Sequence, residues 1–97
     1  MIRSLYAIQD TLAESIVGGI HIFITDAQAI RFFGDIAGDS KTAINRHPGD
    51  HSLVKLGEID ERTGIIFVVA PHTVITGAQW VAAQQPDNGQ ASLQLEA

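Results

Sequence analysis

Residues 26–69 read DAQAIRFFGDIAGDSKTAINRHPGDHSLVKLGEIDERTGIIFVV, and local signals in this stretch decide the fold. Thr25, just before it, can accept a hydrogen bond from a first-turn amide while Gln28 reaches back, a capping box that starts a helix. Asp26 in the first turn suits the helix dipole. Ile30, Phe33, Ile36 and Ala37 then recur at helical spacing, Arg31 and Asp35 lie four apart on another face, and Gly38 stops the pattern. This predicts an amphipathic helix of about three turns laid on a sheet. Asp39 or Ser40 can cap a further short turn through Lys41–Asn45, which Pro48 and Gly49 would end. Beyond it, Leu53–Ile59 and Ile65–Val69 flank Asp60-Glu61-Arg62-Thr63-Gly64, whose composition suits a tight hairpin with Gly64 left-handed beside a bulge.

Upstream, Ser4–Ile8 and Gly19–Thr25 are β-prone and separated by a polar, Gly-containing connection. In the second run Ile20, Ile22 and Ile24 share one face and His21 and Phe23 the other, which predicts at least one buried apolar face. Downstream, Ile65–Val69 is apolar on both faces, as expected of a central strand or of one whose second face meets another subunit, here a dimer. Pro71 is expected to end that strand, with Thr73–Thr76 another short strand and Ala78–Ala83 a helical turn or an edge strand. The polar, breaker-rich sequence from Gln84 onward predicts a disordered tail. The expected class is α+β, a small antiparallel sheet of about four strands with one main amphipathic helix packed on it. The order is strand-strand-helix-hairpin, in a single domain over residues 1–83 with a tail at 84–97.

Composition narrows the function. With 45% apolar residues in 97, the chain can pack a core unaided, and the absence of cysteine excludes disulfides, thiolate zinc sites and cysteine nucleophiles. Asp10 and Glu14 interrupt the N-terminus before any apolar run reaches signal-peptide length, so a soluble, unexported protein without a membrane role is expected. Eleven acids against six bases give a formal charge of −5, the wrong sign for neutralising phosphates over a whole surface. Any DNA binding must therefore come from a local patch.

No catalytic constellation is legible, and no enzyme, cofactor or metal site is expected. His47 and His51 have Pro48 and Gly49 between them, which breaks the helical geometry of a bidentate pair, and both read as surface loop residues. His21 reads as partly buried and hydrogen-bonded, and His72 as exposed. Asp35 is a solvated helix position and Asp39 a cap, while Asp60 and Glu61 are turn formers with no nucleophile or second base to complement them. Gly18-Gly19 reads as a turn or strand entry. Arg31, Lys41, Arg46 and Lys55 are the candidate phosphate contacts, weighed against a merely solvated face. Trp80 could stack on a base, anchor a partner or fill the core.

Taken as a unit, Ala29-Ile30-Arg31, Phe33, Asp35, Ser40 onward, His47-Pro48-Gly49-Asp50, Leu53 with Leu56-Gly57, Ile59-Asp60 and Thr63-Gly64 resemble the small nonstructural protein of gokushoviruses. These are tailless single-stranded-DNA microviruses of bacteria. The resemblance covers about 40 residues. It departs at the N-terminus, where the connection between the first two strands is longer, and around Trp80. It implies a non-enzymatic, DNA-associated phage protein acting in the host bacterial cytoplasm when genome synthesis switches to packaged single strands. The expected partners are single-stranded viral DNA or the replication complex. The alternative is a structural or assembly protein, present in the virion or bound to the coat protein.

Overall fold

The computed structural model describes residues 1–85. Four strands, β1 (Ile2–Asp10), β2 (Ser15–Phe23), β3 (His51–Asp60) and β4 (Ile66–Thr76), form one antiparallel sheet in the order β2-β1-β3-β4. Helix α1 (Asp26–Ala37), the short α2 (Ala43–Arg46) and a 3-10 turn (Pro48–Asp50) connect β2 to β3, and α3 (Gly77–Gln84) follows β4. Because β2 and β3 both run antiparallel to the β1 between them, they run parallel to each other. Such strands need a long crossover, and α1 supplies it by passing over β1. The expected α+β class and its strand-strand-helix-hairpin order hold, with α3 added. Among the described residues no helix is long and apolar enough to cross a membrane.

The start of α1 follows the predicted signal with one difference. The Thr25 hydroxyl accepts from the Gln28 amide at 3.2 Å, but the Gln28 side chain accepts from Ile24, one residue before the cap, at 3.0 Å. Ala29, Phe33 and Ala37 form the buried stripe of α1, with Ile30 and Ile36 at its flanks. They close on Tyr6, Ile8 and Leu53 of the sheet and Ile44 of α2 to make the core. Two alanines beside one Phe let the helix lie close to the strands. The Tyr6 hydroxyl donates to the Asp26 carboxylate and ties β1 to the first turn of α1.

Several expectations are corrected. The segment before Gly19 is strand rather than connection: β2 begins at Ser15, and Asp10 turns the chain by accepting from the Leu12 and Ala13 amides, each at 3.0 Å. Gly18 and Gly19, both with positive φ, are the unpaired residues of a bulge between the Ala7–Ile20 and Ile8–Val17 pairs. Of the two β2 faces, His21 and Phe23 turn toward α1, whereas Ile20, Ile22 and Ile24 are exposed. Neither Asp39 nor Ser40 caps α2. Thr42 does so by accepting from the Asn45 amide at 3.1 Å, while Asp39 accepts from the Lys41 amide at 2.9 Å in the preceding turn.

The hairpin at Asp60–Gly64 forms as expected, with the Gly64 amide donating to the Asp60 carbonyl at 2.7 Å and Gly64 at φ 80°. However, β4 is an edge strand, not a central one, and Pro71 does not end it. The Gly57–Val68 and Lys55–His72 pairs leave Val69-Ala70-Pro71 opposite Leu56 alone, so Pro71 sits in a bulge where no ladder donor is needed. Trp80 lies in a helix rather than a strand, and α3 opens with a full Thr76–Gln79 capping box. Gly77 is pressed against the 3-10 turn, where an added Cβ would lie 1.9 Å from the Pro48 carbonyl oxygen. Gln84 belongs to α3, one residue past the expected domain end, and the predicted tail beyond Gln85 lies outside the described residues.

Candidate nucleic-acid interface

The segment between α1 and β3 is pinned at several points. The Thr42 hydroxyl lies 2.8 Å from the Ile36 carbonyl and the Asn45 side-chain amide donates to the Ala37 carbonyl at 2.8 Å, so the unpaired carbonyls at the end of α1 are taken up by the next turn. Ile44 anchors α2 in the core. This fixes the backbone that carries Lys41 and Arg46. Both side chains are exposed, and Arg46 Nη1 donates to the Lys41 carbonyl at 3.3 Å, holding the two cations over one turn. Neither forms an ion pair among the described residues.

Beside this turn, between α1, α2 and β2, lies a half-open cavity of about 380 Å³. Phe32 and Ile36 of α1 and Val17, Gly18 and His21 of β2 form its walls, and Ile8, Ile44 and His51 its base. The His21 and Phe32 rings lie 4.5 Å apart, and Phe23 lies 5.3 Å from Phe32, so one wall is a small aromatic cluster. The Gly18-Gly19 bulge leaves the rim on the β2 side bare, with no atom within 4 Å of where a Cβ would stand.

His51 is a further correction, since it is not a surface loop residue. It is buried, its Nδ1 2.9 Å from the His47 carbonyl and its Nε2 3.8 Å from Asp10 Oδ2. A carbonyl can only accept, so Nδ1 carries the proton and the ring is fixed across the join between the 3-10 turn and β3. His47 and His72 are exposed and His21 is partly buried, as expected, but among the described residues the His21 ring packs against Phe32 and makes no side-chain hydrogen bond.

The four predicted cations do not form one patch. Lys41 and Arg46 share the α2 turn. Arg31 borders a different cleft, about 330 Å³, with Asp35, Gly34, Ile30 and Trp80 around it. Lys55 lies within β3, with Nζ 3.7 Å from Glu58 Oε2. Trp80 is half-buried against α1, where an added Cβ on Gly34 would lie 2.6 Å from its Nε1. Much of its ring is thus spent inside the chain.

The cavity was missed because its walls come from segments distant in sequence. Two local signals pointed to it, a Gly-Gly pair inside a strand-like run and a His alternating with Ile in the same run. No cluster of three or more metal-ligating side chains occurs among the described residues.

The model of the Phage ORF5 protein family matches residues 3–80. The chain belongs to that family. This phage ORF5 match begins in β1 and ends in α3, so it spans the whole sheet, the α2 turn and the cavity. The protein is accordingly a phage protein, as the resemblance implied. Neither the search of curated proteins nor that of solved structures finds a match.

Proposed function

We propose that this phage ORF5 protein is a non-enzymatic accessory that binds single-stranded DNA, in keeping with the gokushovirus resemblance and with a role in genome synthesis or its switch to packaging. The observation that carries the reading is the pairing of Lys41 and Arg46, exposed and without acidic partners among the described residues, on the turn beside an aromatic-walled cavity. The two cations are suited to adjacent phosphates, and the cavity to one base of the same strand laid against Phe32 and His21. Base–aromatic stacking contributes about 1–3 kcal/mol per base without sequence preference. Arg31 would touch a phosphate farther along. Lys55, engaged by Glu58, is left out of the primary contact.

The formal charge of −5 means that binding is local, weak and salt-sensitive. Each cation contacting a single strand contributes about −0.7 to the slope of log K against log salt, so Lys41 and Arg46 together give about −1.4. Fluorescence anisotropy with a labelled oligodeoxynucleotide tests this, with wild type and the Lys41→Ala/Arg46→Ala double variant over a salt series. The expected result is weaker binding and a slope shallower by about 1.4 in the variant. No binding at low salt, or an unchanged slope, would remove the proposal.

A second reading, assembly on the coat protein, is favoured by one feature, the apolar sheet face turned away from α1. It requires the protein in stoichiometric amounts in purified particles, and absence there would eliminate it.

A further inference from the structure

Directly paired residues of antiparallel strands share a face, so the register defines the side of the sheet away from α1. It carries Ile16, Ile20 and Ile22 of β2, Leu5 and Ala7 of β1, Val54 and Ile59 of β3, and Ile66 and Val68 of β4, with the uncharged polar Gln9, Ser52, Thr73 and Thr76 completing it. The central Leu5, Ala7 and Val54 are buried, but the surrounding side chains are open to solvent, Val68 at 95%, Ile66 at 59% and Ile20 at 58%. Arg3 is the one charged residue that the register places on this face, and Glu61 neutralises it at 2.5 Å. A monomer rarely leaves such a continuous apolar surface in water.

We infer that this face is the contact between two copies of the chain, packed sheet on sheet. The size fits. Four strands about 4.8 Å apart and nine residues long at about 3.3 Å each give a footprint of roughly 19 by 30 Å. Two copies would bury on the order of 1,200 Å² in all, the lower end of the range for stable interfaces. The chemistry fits as well, because a neutral apolar sheet face is complementary to another of its kind, and this chain carries one. A two-fold axis through the face would set Ile20 and Val68 of each copy against the other, with the aligned packing of β-sandwiches. Edge-to-edge pairing through β2 or β4 would extend the sheet and leave this face open to solvent on all four strands. The dimer places α1 and the α2 turn of both copies on its two outer surfaces, independently of what they bind.

Sedimentation equilibrium of the full chain tests this. Wild type is expected at twice its 10.4 kDa mass. Val68→Glu on β4 and Ile20→Glu on β2 should each weaken the dimer by about 100-fold or more while circular dichroism stays unchanged, because each replaces a solvent-exposed residue of the isolated chain. Sensitivity to both edges separates face packing from edge pairing. Since the chain lacks cysteine, a Val68→Cys variant provides a second readout, maleimide labelling that slows as protein concentration rises. The Lys41→Ala/Arg46→Ala variant should remain dimeric, so loss of DNA binding and loss of the dimer are distinguishable. A monomeric wild type, sensitivity to only one of the two Glu variants, or thiol labelling of the Val68→Cys variant at a rate independent of concentration would overturn the inference, as would a face protected only when the coat protein is added.

Discussion

Removing the Tyr6 hydroxyl should abolish a specific loss of stability at alkaline pH. Burial first, then a hydrogen bond to Asp26, raises the phenol from 10.0 to about 12; a hydrogen bond with the Ser4 side chain works the other way, and the negative charge of Asp26 adds a smaller upward push. The folded chain therefore favours the neutral phenol, whereas the unfolded chain loses the proton near its ordinary value. Stability from this group is complete below pH 10, falls as the pH rises from 10 to 12, and is gone above. Two units set an upper limit of about 3 kcal/mol. Because the hydroxyl meets the exposed Asp26 carboxylate, solvent screens part of this, and the expected loss is about 1–2 kcal/mol. Tyr6 is the only tyrosine and Trp80 the only tryptophan, so near-ultraviolet absorbance reads the titration of Tyr6 alone and tryptophan fluorescence reads unfolding in denaturant. The Tyr6→Phe variant should lose about 1 kcal/mol at neutral pH with the hydrogen bond, and should show a correspondingly flatter decline above pH 10 than wild type. A phenol midpoint near 10, or identical alkaline declines in the two proteins, would refute the coupling of Tyr6 to Asp26.

Three further substitutions test the packing around the site. Gly77→Ala drives a Cβ into the Pro48 carbonyl and should cost about 3 kcal/mol or more by denaturant midpoint, since neither backbone can yield without moving the 3-10 turn. Gly34→Ala gains about 1 kcal/mol of helix propensity but must displace the Trp80 ring, so a net loss of about 1–2 kcal/mol and a red-shifted tryptophan emission are expected. Phe33→Ala empties the centre of the core and should destabilise by about 3–5 kcal/mol, the largest effect of a single α1 truncation.

The helix and the second hairpin were legible because their signals are local. The Thr25 cap, the spacing around Phe33 and the Asp60–Gly64 turn each specify geometry within a few residues. The Thr76–Gln79 capping box was equally local, but the apolar run through Trp80 suits either a helical turn or a strand and hid it. Side-chain alternation in β2 was visible without showing which face meets α1, since Ile20-Ile22-Ile24 is the more apolar set and the His21-Phe23 face is the one that packs. Position within the sheet decided that, and it depends on the crossover over β1. Pro71 misled for a related reason: a proline ends an interior strand, but an edge strand with a bulge accommodates it. The cations were found by type, yet their grouping depends on how α1, α2 and β3 meet. That geometry joins Lys41 to Arg46 and separates Arg31 and Lys55 from them.

Binding of a single strand at the α2 turn is tested most directly by mapping backbone amide shifts of the labelled protein during titration with a short oligodeoxynucleotide at low salt. Perturbations are predicted at Lys41–His47, at Val17–His21 and around Phe32, saturating together and receding as salt is added. Shifts confined to other surfaces, or none at all, would contradict the proposal that this turn and its cavity hold DNA.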